Sequence, residues 1–231
     1  MTEFAGNCQN VNFADPKTVI LADLMCQQLS SVPSKILVVG CGKGIEAAVL
    51  AQHLRASVTG IDILTDFDAR ASQFADLRRG DATRMEFMDE SFDFVYSFHA
   101  LEHIPDFRAA LHEMRRVLRP DGGWMIGTPN SKRIIGYLGS KDASTAEKLW
   151  WNLADWNAKL RGRFRNELGA HAGYTKEELR GELARVFSAV TDITLDYYRD
   201  VYSSRRDLIE AMVQSGVAPW LLPCIYFTGR R

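Results

Sequence analysis

The chain reads as a doubly wound α/β fold, a mostly parallel sheet with helices on both faces. Three observations predict it. Lys35-Ile-Leu-Val-Val-Gly40 is a continuous β-branched run without polar alternation, the mark of a strand buried on both faces. Runs of this kind alternate with helical stretches in units of roughly 20–35 residues, the repeat of a βαβ crossover. A glycine-rich turn, Gly40-Cys-Gly42-Lys-Gly44, joins the first strand to the helix that follows.

The elements follow in order. Asp15 to Leu29 is expected as a helix, with Asp15 as cap, Pro16 in its first turn, and apolar Val19, Ile20, Leu24 and Leu29. Ser30 to Ser34 breaks it, and the strand Lys35–Gly40 follows. Gly44–Leu54 is a helix, Ser57–Asp62 a second strand, Asp66–Phe74 a weaker helix, and Leu77–Asp81 the end of a short third strand. Phe92–Ser97 is a fourth strand. Pro105–Leu118 is an amphipathic helix, Arg119–Gly123 a turn, and Trp124–Thr128 a fifth strand. Ser131 to Tyr174 breaks the rhythm with three tryptophans and little strand pattern, which fits an inserted helical lid. Alternation resumes with a helix over Thr175–Phe187, where Thr175 and Glu178 form a capping box. Val190–Tyr197 is expected as strand, Arg206–Ser215 as helix and Cys224–Thr228 as the last strand.

Composition bounds the function. The 231 residues fit a single domain over 1–231, with an N-terminal helical segment at 1–34 and the lid at 131–174. At 46% hydrophobic and 25% charged, the chain can bury a sizeable core. Lys+Arg of 28 against Asp+Glu of 29 argues against a dedicated nucleic-acid binder, which carries a basic footprint. Four scattered cysteines without a CxxC argue against a disulfide scaffold or a cysteine zinc site, and point to a reducing cytoplasm. No apolar run approaches the roughly 18 residues of a membrane span, and no secretory leader is visible at the start, so no membrane partner is expected.

The glycine turn sits where a helix N-terminus offers free N–H groups and the missing side chains let a ligand reach the backbone. Its spacing departs from the dinucleotide fingerprint, whose third glycine comes one residue later, where Ile45 stands. No Lys-Ser/Thr pair follows, which excludes a phosphate-binding P-loop. Asp62 ends the second strand, where a carboxylate accepts both hydroxyls of a ribose. Gly80-Asp81-Ala82-Thr83 follows the third strand, where a carboxylate takes the exocyclic amine of an adenine. Phe92–Phe98 and Val117-Leu-Arg-Pro-Asp-Gly-Gly123 complete the series.

From Lys35 to Thr128, in order, these segments resemble the class I S-adenosylmethionine-dependent methyltransferases. The resemblance implies a Rossmann-like, seven-stranded sheet with an antiparallel last strand, Cys224–Thr228. It implies S-adenosyl-L-methionine as cofactor: Gly40, Gly42 and Gly44 at the methionine portion, Asp62 with its neighbour Ile63 at the ribose, Asp81 and Ala82 at the adenine, and Ser97 at the strand end beneath the sulfonium.

His99-Ala-Leu-Glu102-His103-Ile-Pro105 follows the fourth strand, where open α/β sheets place ligands. The spacing i, i+3, i+4 would set His99, Glu102 and His103 on one face of a helical turn. The string also matches the HxxEH of inverted zinc proteases, but that needs a long helix, and Pro105 holds Ile104 extended. The segment resembles the Glu-x-x-Glu-His of ubiquinone-pathway O-methyltransferases and of small-RNA 3′-end 2′-O-methyltransferases, with His99 in place of the first glutamate. Gly169-Ala-His171 resembles their Gly-x-His segment, which implies a metal site of His99, Glu102, His103 and His171. Such a set suits a divalent transition metal (zinc, iron, manganese or cobalt) over magnesium. The alternatives without metal make His103 a general base or a shape element, with Glu102 as the second catalytic candidate or as a cap of the next helix, and leave His99 as a packed loop residue.

The expected activity is methyl transfer to a small-molecule acceptor, with oxygen favoured if Glu102 and His103 act. The alternatives are an RNA 2′-O-methyltransferase and a non-catalytic S-adenosylmethionine-binding protein. Trp150, Trp151, Trp156 and Tyr174 either wall the acceptor or pin the lid to the body. Arg161, Arg163 and Arg165 form the local basic cluster, and His53 and His112 are expected at the surface.

Overall fold

A computed structural model describes residues 15–27, 29, 32–137, 143–166 and 171–231. Cys8, Ser30, Ser31, Gly169 and parts of the expected N-terminal segment and lid lie outside the described residues.

Helix α1 (Pro16–Gln27) starts at Asp15, whose carboxylate accepts from the Thr18 hydroxyl at 2.7 Å and from its N–H at 3.3 Å. Strand β1 (Lys35–Val39) leads through the glycine turn into α2 (Ile45–Leu54), then β2 (Ser57–Asp62), β3 (Asp76–Arg79) and β4 (Phe92–Phe98). Helix α3 (Phe107–Val117), capped by Asp106, leads into β5 (Leu118–Pro129). Two capping boxes start the next helices, Ser144 with Glu147 on α4 (Thr145–Leu160) and Thr175 with Glu178 on α5 (Lys176–Val186). Strand β6 (Ala189–Asp192), helices α6 (Thr194–Val201), α7 (Arg206–Gln214) and α8 (Ala218–Leu221), and β7 (Cys224–Arg230) complete the chain.

The seven strands form one sheet in the order β3-β2-β1-β4-β5-β7-β6. The register is parallel from β3 to β5, and β7 runs antiparallel to both of its neighbours, as expected. Alternate residues of β1 serve opposite faces. Ile36 and Val38 pack with α1, α2, α6 and α7, while Leu37 and Val39 pack with α3 and α5. Burial on both faces explains the unbroken apolar run.

Three expectations are corrected. Asp66–Phe74 is not a helix but a loop ending in a 3-10 turn, Ala71–Gln73. The Asp68 carboxylate accepts the N–H groups of Arg70 and Ala71, the local bonding that competes with helix. The expected strand Val190–Tyr197 stops at Asp192, whose side chain takes the Thr194 N–H at 3.0 Å and opens α6. Tyr197 and Tyr198 then point from α6 into the core beneath the sheet. The expected turn Arg119–Gly123 is absorbed into β5, with a register shift between Phe92 and Phe94 of β4. Helix α8 was not anticipated.

Asp93 fastens the amino ends of three strands. Its carboxylate takes the N–H groups of Ser34 (2.9 Å) and Lys35 (2.8 Å), the Ser34 hydroxyl (2.6 Å) and the Arg119 guanidinium. Burial opposes its ionisation, but these donors outweigh it and lower its pKa. A depressed pKa means the contribution is whole above about pH 4 and is lost as pH falls through the lowered value. Asp93→Asn should cost about 1–3 kcal/mol at neutral pH. Urea unfolding near pH 7 and again in strong acid should show the gap between variant and wild type closing as acid is added.

Candidate active site

The carboxyl ends of β1 and β4 lie where the strand order reverses, the usual ligand crevice of such sheets. Gly40 (φ 72°), Gly42 (φ 51°) and Gly44 (φ 84°) all adopt left-handed backbone. The N–H groups of Gly40 and Cys41 both reach the Ile61 carbonyl, tying the turn to β2. A Cβ on Gly40 would overlap the Ala100 methyl, and one on Gly44 the Leu77 side chain, whereas a Cβ on Gly42 meets nothing within 4 Å. Two of the glycines thus make room for the protein itself, and Gly42 faces open space.

Asp62 sits beside this turn, accepting from Gly42 N–H at 2.9 Å and Leu64 N–H at 3.0 Å. Ile63 stands 66% exposed next to it, an apolar surface at the strand end. Asp81 accepts the N–H and hydroxyl of Thr83 at 2.8 and 2.7 Å, which lower its pKa, and Ala82 is buried beneath. Ser97 is different: it is buried, and its hydroxyl donates to the Val39 carbonyl at 3.1 Å, so its side chain braces β1 against β4.

The histidine–glutamate segment does not lie on a long helix. His99 has φ 51°, a strained conformation for a side-chain-bearing residue, and Leu101–His103 is a single 3-10 turn. Ile104 is extended ahead of Pro105 (φ −95°, ψ 111°). The three residues therefore do not share one face of a helix, although both imidazoles lie within 4.0 Å of Glu102 Oε1. Glu102, His103 and His171 bring one ligand atom each within 4.8 Å of one another. His99 stands outside that group and points its Nε2 to Cys224 Sγ at 3.6 Å, with Nδ1 3.4 Å from Glu102 Oε1.

Glu102 is the buried anion of the group. Its Oε2 accepts the Thr128 hydroxyl at 3.0 Å. Its Oε1 is buried without a hydrogen bond, 4.0 Å from His103 Nε2. Burial opposes its charge, but His99 and Thr128 outweigh this and lower its pKa. Burial likewise opposes charge on His99, yet Cys224 and Glu102 push it up to about 10. Burial and the neighbouring His103 hold His171 below the usual imidazole range. The His103 and His171 rings meet edge to face at 4.6 Å.

Arg133, only 4% exposed, holds His171 in place. Its guanidinium donates to the carbonyls of His171 (2.9 Å) and Ala172 (3.3 Å) and to Asp155 of α4 (3.0 Å). Tyr174 closes the segment, its N–H bonded to Pro129 and its hydroxyl donating to the Leu101 carbonyl.

A cleft of about 510 Å³ opens beside His99 and His171. Its walls include Tyr198, Tyr202 and Tyr226, with Glu46 from the start of α2. Burial pushes Glu46 up to about 7. None of Trp150, Trp151 and Trp156 lines this cleft; Trp151 touches its rim through Tyr137, ring to ring at 5.2 Å. Sequence reading missed Glu46, Arg133, Cys224 and the α6 tyrosines. The signal available for Glu46 was a charge in the otherwise apolar first half of α2. His53 bonds Asp23 of α1 at 2.8 Å and His112 is exposed, both away from the cleft.

Residues 37–126 match a methyltransferase domain family. A sterol 24-C-methyltransferase of Gibberella zeae is 37% identical over 97 residues, 38% of this chain and 26% of that protein. A fatty-acid O-methyltransferase of Mycolicibacterium smegmatis is 39% identical over 100 residues, 41% of this chain and 36% of that protein. A 2-methyl-6-phytyl-1,4-hydroquinone methyltransferase of Synechocystis is 34% identical over 103 residues, 42% and 32% of the two chains. The chain thus spans about a quarter to two fifths of the length of the curated relatives it matches. Among solved structures, the YcgJ protein of Bacillus subtilis superposes with TM-score 0.56 at 16% identity, over 93% of this chain and 97% of that one. A phosphoethanolamine N-methyltransferase of Haemonchus contortus gives 0.55 at 17%, over 91% and 52%. The [4+2]-cyclase SpnF gives 0.55 at 18%, over 92% and 80%. These structural likenesses concern the fold.

Proposed function

We propose that the chain is a class I S-adenosylmethionine-dependent methyltransferase that methylates an oxygen of a small-molecule acceptor bound in the tyrosine-lined cleft. The observation that carries the site is the buried Glu102 Oε1, which has no hydrogen bond and converges with His103 and His171 at the end of β4. Its partner is the His99 ring at 3.4 Å, an ion pair without hydrogen-bond geometry, and a buried carboxylate oxygen paired so loosely can still take a further cation in the bound state.

The residues divide the work by position. Asp62 holds the ribose hydroxyls of the cofactor, Ile63 and Ala82 cover its apolar surfaces, and Asp81 stands at the adenine. Gly42 leaves space for the methionine end. Glu102, His103 and His171 would hold a divalent metal, while His99 stays with Cys224 and braces Glu102. Such a metal, when bound, would lower the pKa of the acceptor hydroxyl and orient it. S-adenosylmethionine supplies the methyl group on its sulfonium, and the displacement needs alignment and exclusion of water. Arg133 fixes His171 from behind, and the described parts of the expected lid, residues 131–137, 143–166 and 171–174, lie over the acceptor.

The fatty-acid and hydroquinone relatives act on acceptors with an apolar body, and the aromatic walls of the cleft suit such a molecule here. Protein purified without a histidine tag should carry about one equivalent of transition metal by elemental analysis. Methyl transfer from labelled S-adenosylmethionine to a panel of phenols and carboxylic acids should fall on chelation and return with metal. Metal-free protein that stays fully active in chelator would remove the metal and leave Glu102 with its histidines as a proton-transfer pair.

A further inference from the structure

Helix α4 is built inside out. Its inward face is polar: Asn152 exchanges hydrogen bonds with the backbone of Gly136 (2.7 and 3.2 Å), Asp155 pairs with Arg133, and Lys159 donates to the Arg133 carbonyl. Its outward face is apolar. Leu149, Leu153 and Leu160 recur at i, i+4 and i+11, so they fall on one stripe of the helix. Trp150 flanks the stripe on one side, and on the other Trp156 stays partly exposed while its indole N–H donates to the Ile134 carbonyl at 2.6 Å. Leu160 is 89% exposed and Trp150 70%, and Ile134 and Ile135 extend the surface beside them. A soluble helix normally turns its apolar stripe to the core. Here the polar residues anchor the helix, and the apolar side chains are left for something else.

Charge says what that is. Arg161, Arg163 and Arg165 follow the last turn, all exposed, and none forms an ion pair among the described residues. The acidic residues of the helix are spent elsewhere, Glu147 in the capping box and Asp155 on Arg133. The outward surface therefore combines leucines, flanking tryptophans and a cationic end. That combination matches an anionic lipid interface, where leucines enter the acyl boundary, indole rings sit at the headgroups and arginines meet the phosphates.

We propose that α4 is a membrane-surface helix that seats the protein on anionic lipid. Among the described residues no helix is long and apolar enough to cross a membrane, and α4 lies on the surface rather than spanning it. The helix connects to the cleft through Trp151 on Tyr137 and through Asp155 on Arg133, so docking sets the cleft rim beside the lipid. This departs from the sequence expectation of no membrane partner, which rested on the search for a spanning run.

The test needs no methyl acceptor and is independent of the proposed activity. Wild-type protein is sedimented with vesicles of phosphatidylcholine alone and with vesicles containing about one third phosphatidylglycerol. It should bind the anionic vesicles, with a blue shift of tryptophan fluorescence. Leu153→Glu/Leu160→Glu, at positions already in solvent, should fold normally and bind at least about tenfold more weakly. Arg161→Gln/Arg163→Gln/Arg165→Gln should lose the preference for anionic lipid. No sedimentation of wild type with anionic vesicles would overturn the proposal, as would equal binding by the leucine variant. A dimer in light scattering that the leucine variant splits, without vesicle binding, would assign the face to a second copy instead.

Discussion

Glu102→Gln should lower the rate of methyl transfer by about 10²–10⁴ while leaving S-adenosylmethionine binding unchanged. The substitution keeps the size of the side chain and the Thr128 hydrogen bond, so the protein still folds. What it removes is the carboxylate charge, whose Oε1 pairs with His99 at 3.4 Å and lies beside His103 and His171. Single-turnover kinetics on the purified variant, with cofactor affinity measured in parallel, separates this from a general loss of structure. A variant that turns over at the wild-type rate would take Glu102 out of the site.

Gly40→Ala should have the largest effect on the fold and the site together. Its left-handed backbone costs about 1–2 kcal/mol for a side-chain-bearing residue, and the new methyl would overlap that of Ala100, for a total of about 2–4 kcal/mol. Ala100 lies two residues before Glu102, so moving it displaces the segment that carries Glu102 and His103. Thermal unfolding should shift down, and cofactor binding and turnover should fall together. Gly42→Ala, whose methyl meets no protein atom within 4 Å, serves as the comparison: it carries the same left-handed cost of about 1–2 kcal/mol without the overlap, and so should destabilise less. Equal stability of Gly40→Ala and wild type would mean that the interlock with Ala100 is not what this glycine provides.

What was legible in the sequence follows from which signals are local. The glycine turn, Asp62 and the strand ends are read from spacing, because each sits at a fixed distance from a strand that burial makes unmistakable. The His99 geometry was not legible. Spacing assumed helical backbone, and the left-handed φ that turns His99 toward Cys224 arises where β4 ends against Gly127. The tyrosines of α6 were hidden for another reason. Thr191 to Tyr197 is rich in β-formers, and the Asp192 side chain, bonding the Thr194 N–H, ends the strand early. Helix α4 shows the same limit. Its apolar period was visible, but the pattern alone cannot say which face meets the body. That is decided by Asn152, Asp155 and Lys159 finding partners on the segment around Arg133 and Gly136.

Isothermal titration of the protein with S-adenosylmethionine, beside Asp62→Ala, tests the central claim most directly. The account predicts saturable one-to-one binding by wild type, weakened by about 1.5–3 kcal/mol, roughly ten- to hundredfold, in the variant that lacks the strand-end carboxylate. Absence of binding by the wild-type protein, or the same affinity in Asp62→Ala, would contradict it.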